Sequence, residues 1–116
     1  MKFGDFVRKT REKLKEQDKK YSVRKVAMRV GIEPAYLSKI ERGDFPPPSE
    51  DTIRRIASEL SLDVDALLAM GGKVSKDLHE IIMKRPRLFA DLIRELKETS
   101  DKSLLRIVRE VRDGEW

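Results

Sequence analysis

The stretch from Val23 to Arg42 constrains this chain more than any other. Val23 to Val30 carries apolar residues at helical spacing, Gly31 interrupts, and Pro34 to Arg42 resumes the same period. Gly31 acts as a stop because only glycine enters the left-handed turn without steric cost. Ser22 suits the N-cap of the first of these helices, where its hydroxyl can accept a free first-turn N–H. Glu33-Pro34 opens the next, with proline at the position where its missing N–H is harmless. Gly43 ends it. Val26, Val30, Ile32, Leu37 and Ile40 are apolar where two steeply crossed helices must face a core. Ala27 is small where the second helix crosses the first at close range, with Gly31 four residues on at the turn. A generic helical hairpin does not need all of these together.

Helical periodicity extends over the rest of the chain, and no segment alternates apolar and polar residues long enough for a strand, so the expected fold class is all-α. Phe3, Phe6, Val7, Thr10 and Leu14 form the stripe of a leading helix that ends in the polar run 16–20. Asp44-Phe45-Pro46-Pro47-Pro48 is a stiff connector that forbids helix. Ser49 caps a fourth helix, with Glu50 and Asp51 at its positive dipole end and Ile53, Ile56, Ala57 and Leu60 inward. Asp63 caps a short fifth helix carrying Val64, Leu67 and Leu68. Gly71-Gly72 marks the expected boundary between a domain at 1–70 and a helical extension at 71–116. Three more helices follow: one capped by Ser75 with Leu78, Ile81 and Ile82, one begun by Pro86, and one capped by Ser100 or Asp101 with Leu104, Leu105, Val108 and Val111.

Composition limits the function. The 116 residues include no cysteine and a single His, His79, which excludes disulfides and leaves no donor set for zinc. No apolar run approaches the roughly 20 residues of a membrane span. The first residues lack the apolar stretch of a signal peptide, so the expectation is a soluble cytoplasmic protein with no membrane partner. Charge is uneven. Residues 1–42 hold 13 Lys/Arg against 6 Asp/Glu, residues 43–70 hold 2 against 6, and residues 71–116 hold 11 against 9. A basic first third fits a polyanion-binding face.

Several stretches together resemble the lambda-repressor/Cro-like (XRE-type) helix-turn-helix family. They are Tyr21-Ser22-Val23-Arg24-Lys25-Val26-Ala27, the run from Gly31 through Leu37-Ser38-Lys39-Ile40-Glu41-Arg42-Gly43, Pro48-Ser49-Glu50-Asp51-Thr52-Ile53, and Leu62-Asp63-Val64-Asp65-Ala66-Leu67-Leu68. The resemblance covers about residues 3–70. It implies a five-helix lambda-repressor-like domain, followed here by about three C-terminal helices. It also implies sequence-specific binding of double-stranded DNA, usually by a dimer.

The residues agree with it. With Leu37 and Ile40 inward, Ala35, Tyr36, Ser38, Lys39 and Arg42 share the outer face, which is short, polar and positive enough for a major groove. Lys39 can donate to guanine or phosphate, Ser38 can contact either, and Ala35 can lie against a thymine methyl. Arg42, near the helix end, suits a phosphate. The N–H groups at Ser22 to Arg24 are expected free for another phosphate, with Arg24 and Lys25 adding charge. Relatives often begin the second helix with Gln and carry a polar base reader at the start of the recognition helix. Val23 and Pro34-Ala35 stand there instead, which moves the expected base readout to Tyr36, Ser38 and Lys39. Each has a bland alternative: Tyr36 as a half-buried prop, Ser38 as a tolerated small residue, Lys39 and Arg42 as solvated charges. Glu41 reads as structural, paired with Arg11 in preference to Arg8. Phe45 reads as a plug on the core edge, and His79 as a surface residue.

The apolar stripes of residues 71–116 exceed what a small monomer can cover. Leu104, Leu105, Val108 and Val111 are therefore the candidate interface of a two-fold homodimer. The alternative is a tail that caps the core. Trp116 reads either as an interface anchor or as a free end. No set of residues is arranged for catalysis, metal binding or a cofactor, and the expected function is a dimeric repressor acting on an operator with two-fold symmetry. Two alternatives stay open: an antitoxin-type regulator whose C-terminal helices bind a toxin, and an adaptor that keeps the fold without the DNA face.

Overall fold

The computed structural model describes residues 2–114, and Trp116 lies outside the described residues. All regular structure among those residues is helical, with no strand. They form α1 (Phe3–Gln17), α2 (Val23–Val30), α3 (Pro34–Arg42), α4 (Glu50–Glu59), α5 (Val64–Met70), α6 (Lys76–Lys84), α7 (Pro86–Leu96) and α8 (Asp101–Asp113). The chain divides into two compact units, one ending at Ser75 and the other starting at Lys76.

In the first unit α1 packs on α3, α2 packs on both α3 and α4, and α4 packs on α5. The core is built from one stripe of each helix: Phe3 and Val7, Val26 with Ala27 and Val30, Leu37 and Ile40, Ile53 with Ile56, Ala57 and Leu60, and Leu67 with Leu68. Ile32, Leu14, Tyr21, Val23 and Tyr36 pack against its margin. The caps follow the side chains. Ser22 Oγ accepts the Lys25 N–H, Ser49 Oγ accepts the Thr52 N–H, and Asp63 accepts the Ala66 N–H. Each satisfies a first-turn donor that has no partner inside its helix.

Two features were not anticipated. A 3-10 turn, Lys19–Tyr21, links α1 to α2, begun by Asp18, whose side chain accepts the Lys20 N–H. Ser61 ends α4 in the left-handed region at φ +55, where the sequence offers no glycine. The Leu62 N–H then closes on the Ala57 carbonyl at 2.8 Å.

Gly4 sets the approach of α1 to α3. A Cβ there would lie 2.1 Å from the Ile40 carbonyl oxygen and 2.8 Å from that of Glu41. The first turn of α1 therefore sits directly on the backbone of the last turn of α3, a distance no other residue permits.

The second unit is a set of short amphipathic helices. Arg85 and Pro86 break α6 from α7, and α6 packs against α7. Ser100, rather than Asp101, caps α8 by accepting the Ser103 N–H at 3.2 Å. None of the described residues of α6, α7 or α8 is buried. Ile82, Phe89, Leu96 and Leu104 reach half-burial, while Leu88, Leu92, Ile93, Leu105, Val108 and Val111 are exposed. His79 is exposed.

Candidate nucleic-acid interface

The site is assembled around α3, whose position follows from its inward residues. Leu37 and Ile40 are fully buried, and Ala27 of α2 is small enough for the two helices to meet closely. Gly31, at φ +86, turns the chain between them, its N–H and that of Ile32 both donating to the Ala27 carbonyl. Arg55 of α4 adds a support not legible from its residue type: its Nη1 donates to the Val30 carbonyl at 3.3 Å, at the end of α2.

Glu41 fixes the far end of α3 from below. It is 3% exposed and Arg11 of α1 is 4% exposed. Arg11 Nε donates to Oε2 at 2.7 Å and Nη2 to Oε1 at 2.8 Å, a bidentate pair. The third guanidinium nitrogen, Nη1, donates to the Tyr21 carbonyl at 3.2 Å. The expected Arg11 partnership is thus present, and Arg8 pairs instead with Asp5 and Glu12 on the surface of its own helix.

With its back held in this way, α3 turns Ala35, Lys39 and Arg42 to solvent, and Tyr36 and Ser38 are half-buried beside them. Arg24 and Lys25 are exposed on the first turn of α2. Ser22 is half-buried at its cap. One detail departs from the sequence reading. The Ser22 N–H is not free, because the 3-10 turn places the Lys19 carbonyl 3.2 Å away to accept it. The Lys25 N–H is taken by the Ser22 hydroxyl, which leaves the N–H groups of Val23 and Arg24 outside the helix ladder.

Phe45 is the larger correction. It is 42% exposed and does not plug the core. Gly43 ends α3 at φ +80, and the N–H groups of Asp44 and Phe45 both donate to the Lys39 carbonyl, at 2.9 and 3.3 Å. The chain therefore folds back along the outside of α3. The Phe45 ring lands 5.9 Å from that of Tyr36, and the Lys39 ammonium lies 5.1 Å from the Phe45 centroid. On its other side Phe45 borders an open apolar cleft of about 310 Å³, shared with Phe3, Ile40, Pro46 and Met70. Asp44, two residues past the end of the helix, accepts from Arg42 Nε at 3.1 Å across an exposed pair.

A family model described as a helix-turn-helix domain matches residues 2–70. The chain belongs to the helix-turn-helix domain family. The match spans α1 to α5 and so contains the whole face just described. No match was found among curated proteins or solved structures. The helix-turn-helix exposes cations on both α2 and α3. Of the acidic side chains on or beside α3, Glu41 is buried against Arg11, Asp44 is engaged with Arg42, and Glu33 is exposed at the helix start. Among the described residues no cluster of His, Asp and Glu could hold a metal ion, and no helix is long and apolar enough to cross a membrane.

Proposed function

We propose that the protein is a sequence-specific regulator of transcription of the lambda-repressor/Cro-like type, binding double-stranded DNA through α3 as a dimeric, non-enzymatic repressor in the cytoplasm. The observation that carries this reading is the division of α3. Its inner side is locked by Leu37, Ile40 and the Arg11–Glu41 pair, while Lys39 and Arg42 stand exposed on the outer side. A helix held rigidly from behind with a cationic outer face is what a major groove requires.

Arg24, Lys25 and Arg42 supply phosphate contacts, and the open N–H groups of Val23 and Arg24 add a further anion position at the start of α2. The Arg42–Asp44 pair is exposed and worth under roughly 1 kcal/mol, so a phosphate readily replaces Asp44. Ala35, Tyr36, Ser38 and Lys39 meet base edges. Repression follows from occupancy of the operator.

The apolar faces of the second unit support dimerisation. Leu104, Leu105, Val108 and Val111 share one side of α8, and a second copy is the simplest cover for them. Two recognition helices would then stand about 34 Å apart, matching half-sites one DNA turn from each other. The same exposed faces favour a second reading, in which they hold a toxin partner. Co-purification of a stoichiometric small protein would select it.

Selection of bound sites from random duplex DNA at two salt concentrations tests the proposal. A two-fold symmetric consensus with steep salt dependence is the expected result. Binding without any sequence preference, or no preference for DNA over heparin, refutes it.

A further inference from the structure

The outer face of α3 is not a row of independent side chains. The Lys39 ammonium lies over the Phe45 ring at 5.1 Å, and the same ring meets Tyr36 at 5.9 Å with a tilt of 52° between the planes. Phe45 thus joins the two side chains of α3 best suited to reading bases, although it lies outside the helix. Its own position is set by backbone, since its N–H and that of Asp44 share the Lys39 carbonyl. Pro46 immediately after it restricts Phe45 to extended conformations.

We propose that Phe45 is a positioning residue that sets the sequence preference of the α3 face by holding Tyr36 and Lys39 in place, without itself reading a base. This rests on the DNA-binding reading above. A free lysine chain has many rotamers, and each one lost on binding weakens the complex. A lysine already held over a ring has lost much of that freedom before DNA arrives. The attraction at an exposed site is weak enough for the ammonium to share its remaining donors with a guanine edge. Tyr36, half-buried and in tilted ring contact with Phe45, has part of its side-chain freedom removed in the same way. Phosphate contacts elsewhere owe nothing to this arrangement, so affinity for random DNA does not depend on it.

The test uses the full chain with Phe45→Leu, Phe45→Trp, Lys39→Met and the double variant Phe45→Leu/Lys39→Met, each checked by circular dichroism for an unchanged helical signal. Binding is measured on the site selected by the wild type and on random duplex, at two salt concentrations. Phe45→Leu is expected to weaken binding to the selected site by about 3- to 10-fold, the cost of ordering one or two side chains. Binding to random duplex and the salt slope should stay as in the wild type. Phe45→Trp, which keeps a ring face, should retain preference. The double variant should bind the selected site more tightly than independent losses predict. In the free protein, proton NMR should show the Lys39 ε-methylene shifted upfield by the ring, and the shift should vanish in Phe45→Leu. Equal losses on selected and random DNA, no loss at all, independent losses in the double variant, or an unshifted Lys39 overturn the inference. A wild type that prefers no duplex overturns the DNA-binding reading instead and takes this inference with it.

Discussion

Glu41→Ala isolates the contact that holds α3 to α1. The variant leaves the Arg11 guanidinium in the same buried place with one partner, the Tyr21 carbonyl at 3.2 Å, after losing two charge-assisted bonds at 2.7 and 2.8 Å. A buried guanidinium stripped of its carboxylate must either stay unpaired or drag water inward. Breaking a buried pair from one side costs about 3–5 kcal/mol. A unit of this size has a total stability of about 4–11 kcal/mol, taking roughly 0.05–0.15 kcal/mol per residue. The loss is therefore a large share of the total, and at about 4–8 °C per kcal/mol it lowers Tm by at least roughly 10 °C. Thermal and urea unfolding followed by circular dichroism reads this directly. The paired replacement Arg11→Met/Glu41→Leu removes both charges and fills the space, and it should unfold within about 1 kcal/mol of the wild type or above it. A Glu41→Ala variant within 1 kcal/mol of the wild type, or a paired variant no better than the single one, would refute the argument that the cost lies in a stranded charge.

Gly4→Ala should destabilise the first unit by about 1–3 kcal/mol, because two α3 carbonyls occupy the space the methyl needs, outweighing the roughly 1 kcal/mol by which alanine favours helix. Urea unfolding would show it as a lower midpoint. Ser61→Gly relieves a left-handed serine and should raise the same midpoint, by about 0.5–1 kcal/mol after the extra freedom of the unfolded chain is deducted. Arg42→Gln should weaken binding to all duplexes alike and reduce the log–log salt slope by about 0.9 if one phosphate contact is lost. Val108→Asp should convert a dimer to a monomer in sedimentation at tens of micromolar, with the α1–α5 fold intact by circular dichroism; a wild type that is already monomeric there would remove the interface.

Much of the first unit was legible because its signals are local. Gly31 and Gly43 end α2 and α3 where only a left-handed residue continues the chain, and Ser22, Ser49 and Asp63 cap where their oxygens find an open N–H. The Arg11–Glu41 pair was legible too, since each falls on the inner stripe of its helix and neither could be buried alone. What escaped depends on contacts between segments or on unusual backbone. Gly4 reads as a weak helix residue until α3 is seen lying against it. Ser61 occupies a glycine conformation with nothing in its type to announce it. Phe45 reads from the sequence as a plug on the core edge, yet it is 42% exposed. Its place was decided by two hydrogen bonds to the Lys39 carbonyl that fold the chain outward. The 3-10 turn at Lys19–Tyr21 was hidden in a polar run, and with it went the free Ser22 N–H.

The seating of α1 on the last carbonyls of α3 has an outcome for how such a protein can diversify. The elements that anchor α3 are glycine, backbone oxygen, aliphatic groups and one ion pair, and all lie on the side turned away from solvent. Ala35, Ser38, Lys39 and Arg42 take no part in that anchorage. If α3 reads DNA as proposed, a new target would demand changes at these few side chains and no renegotiation of the interior.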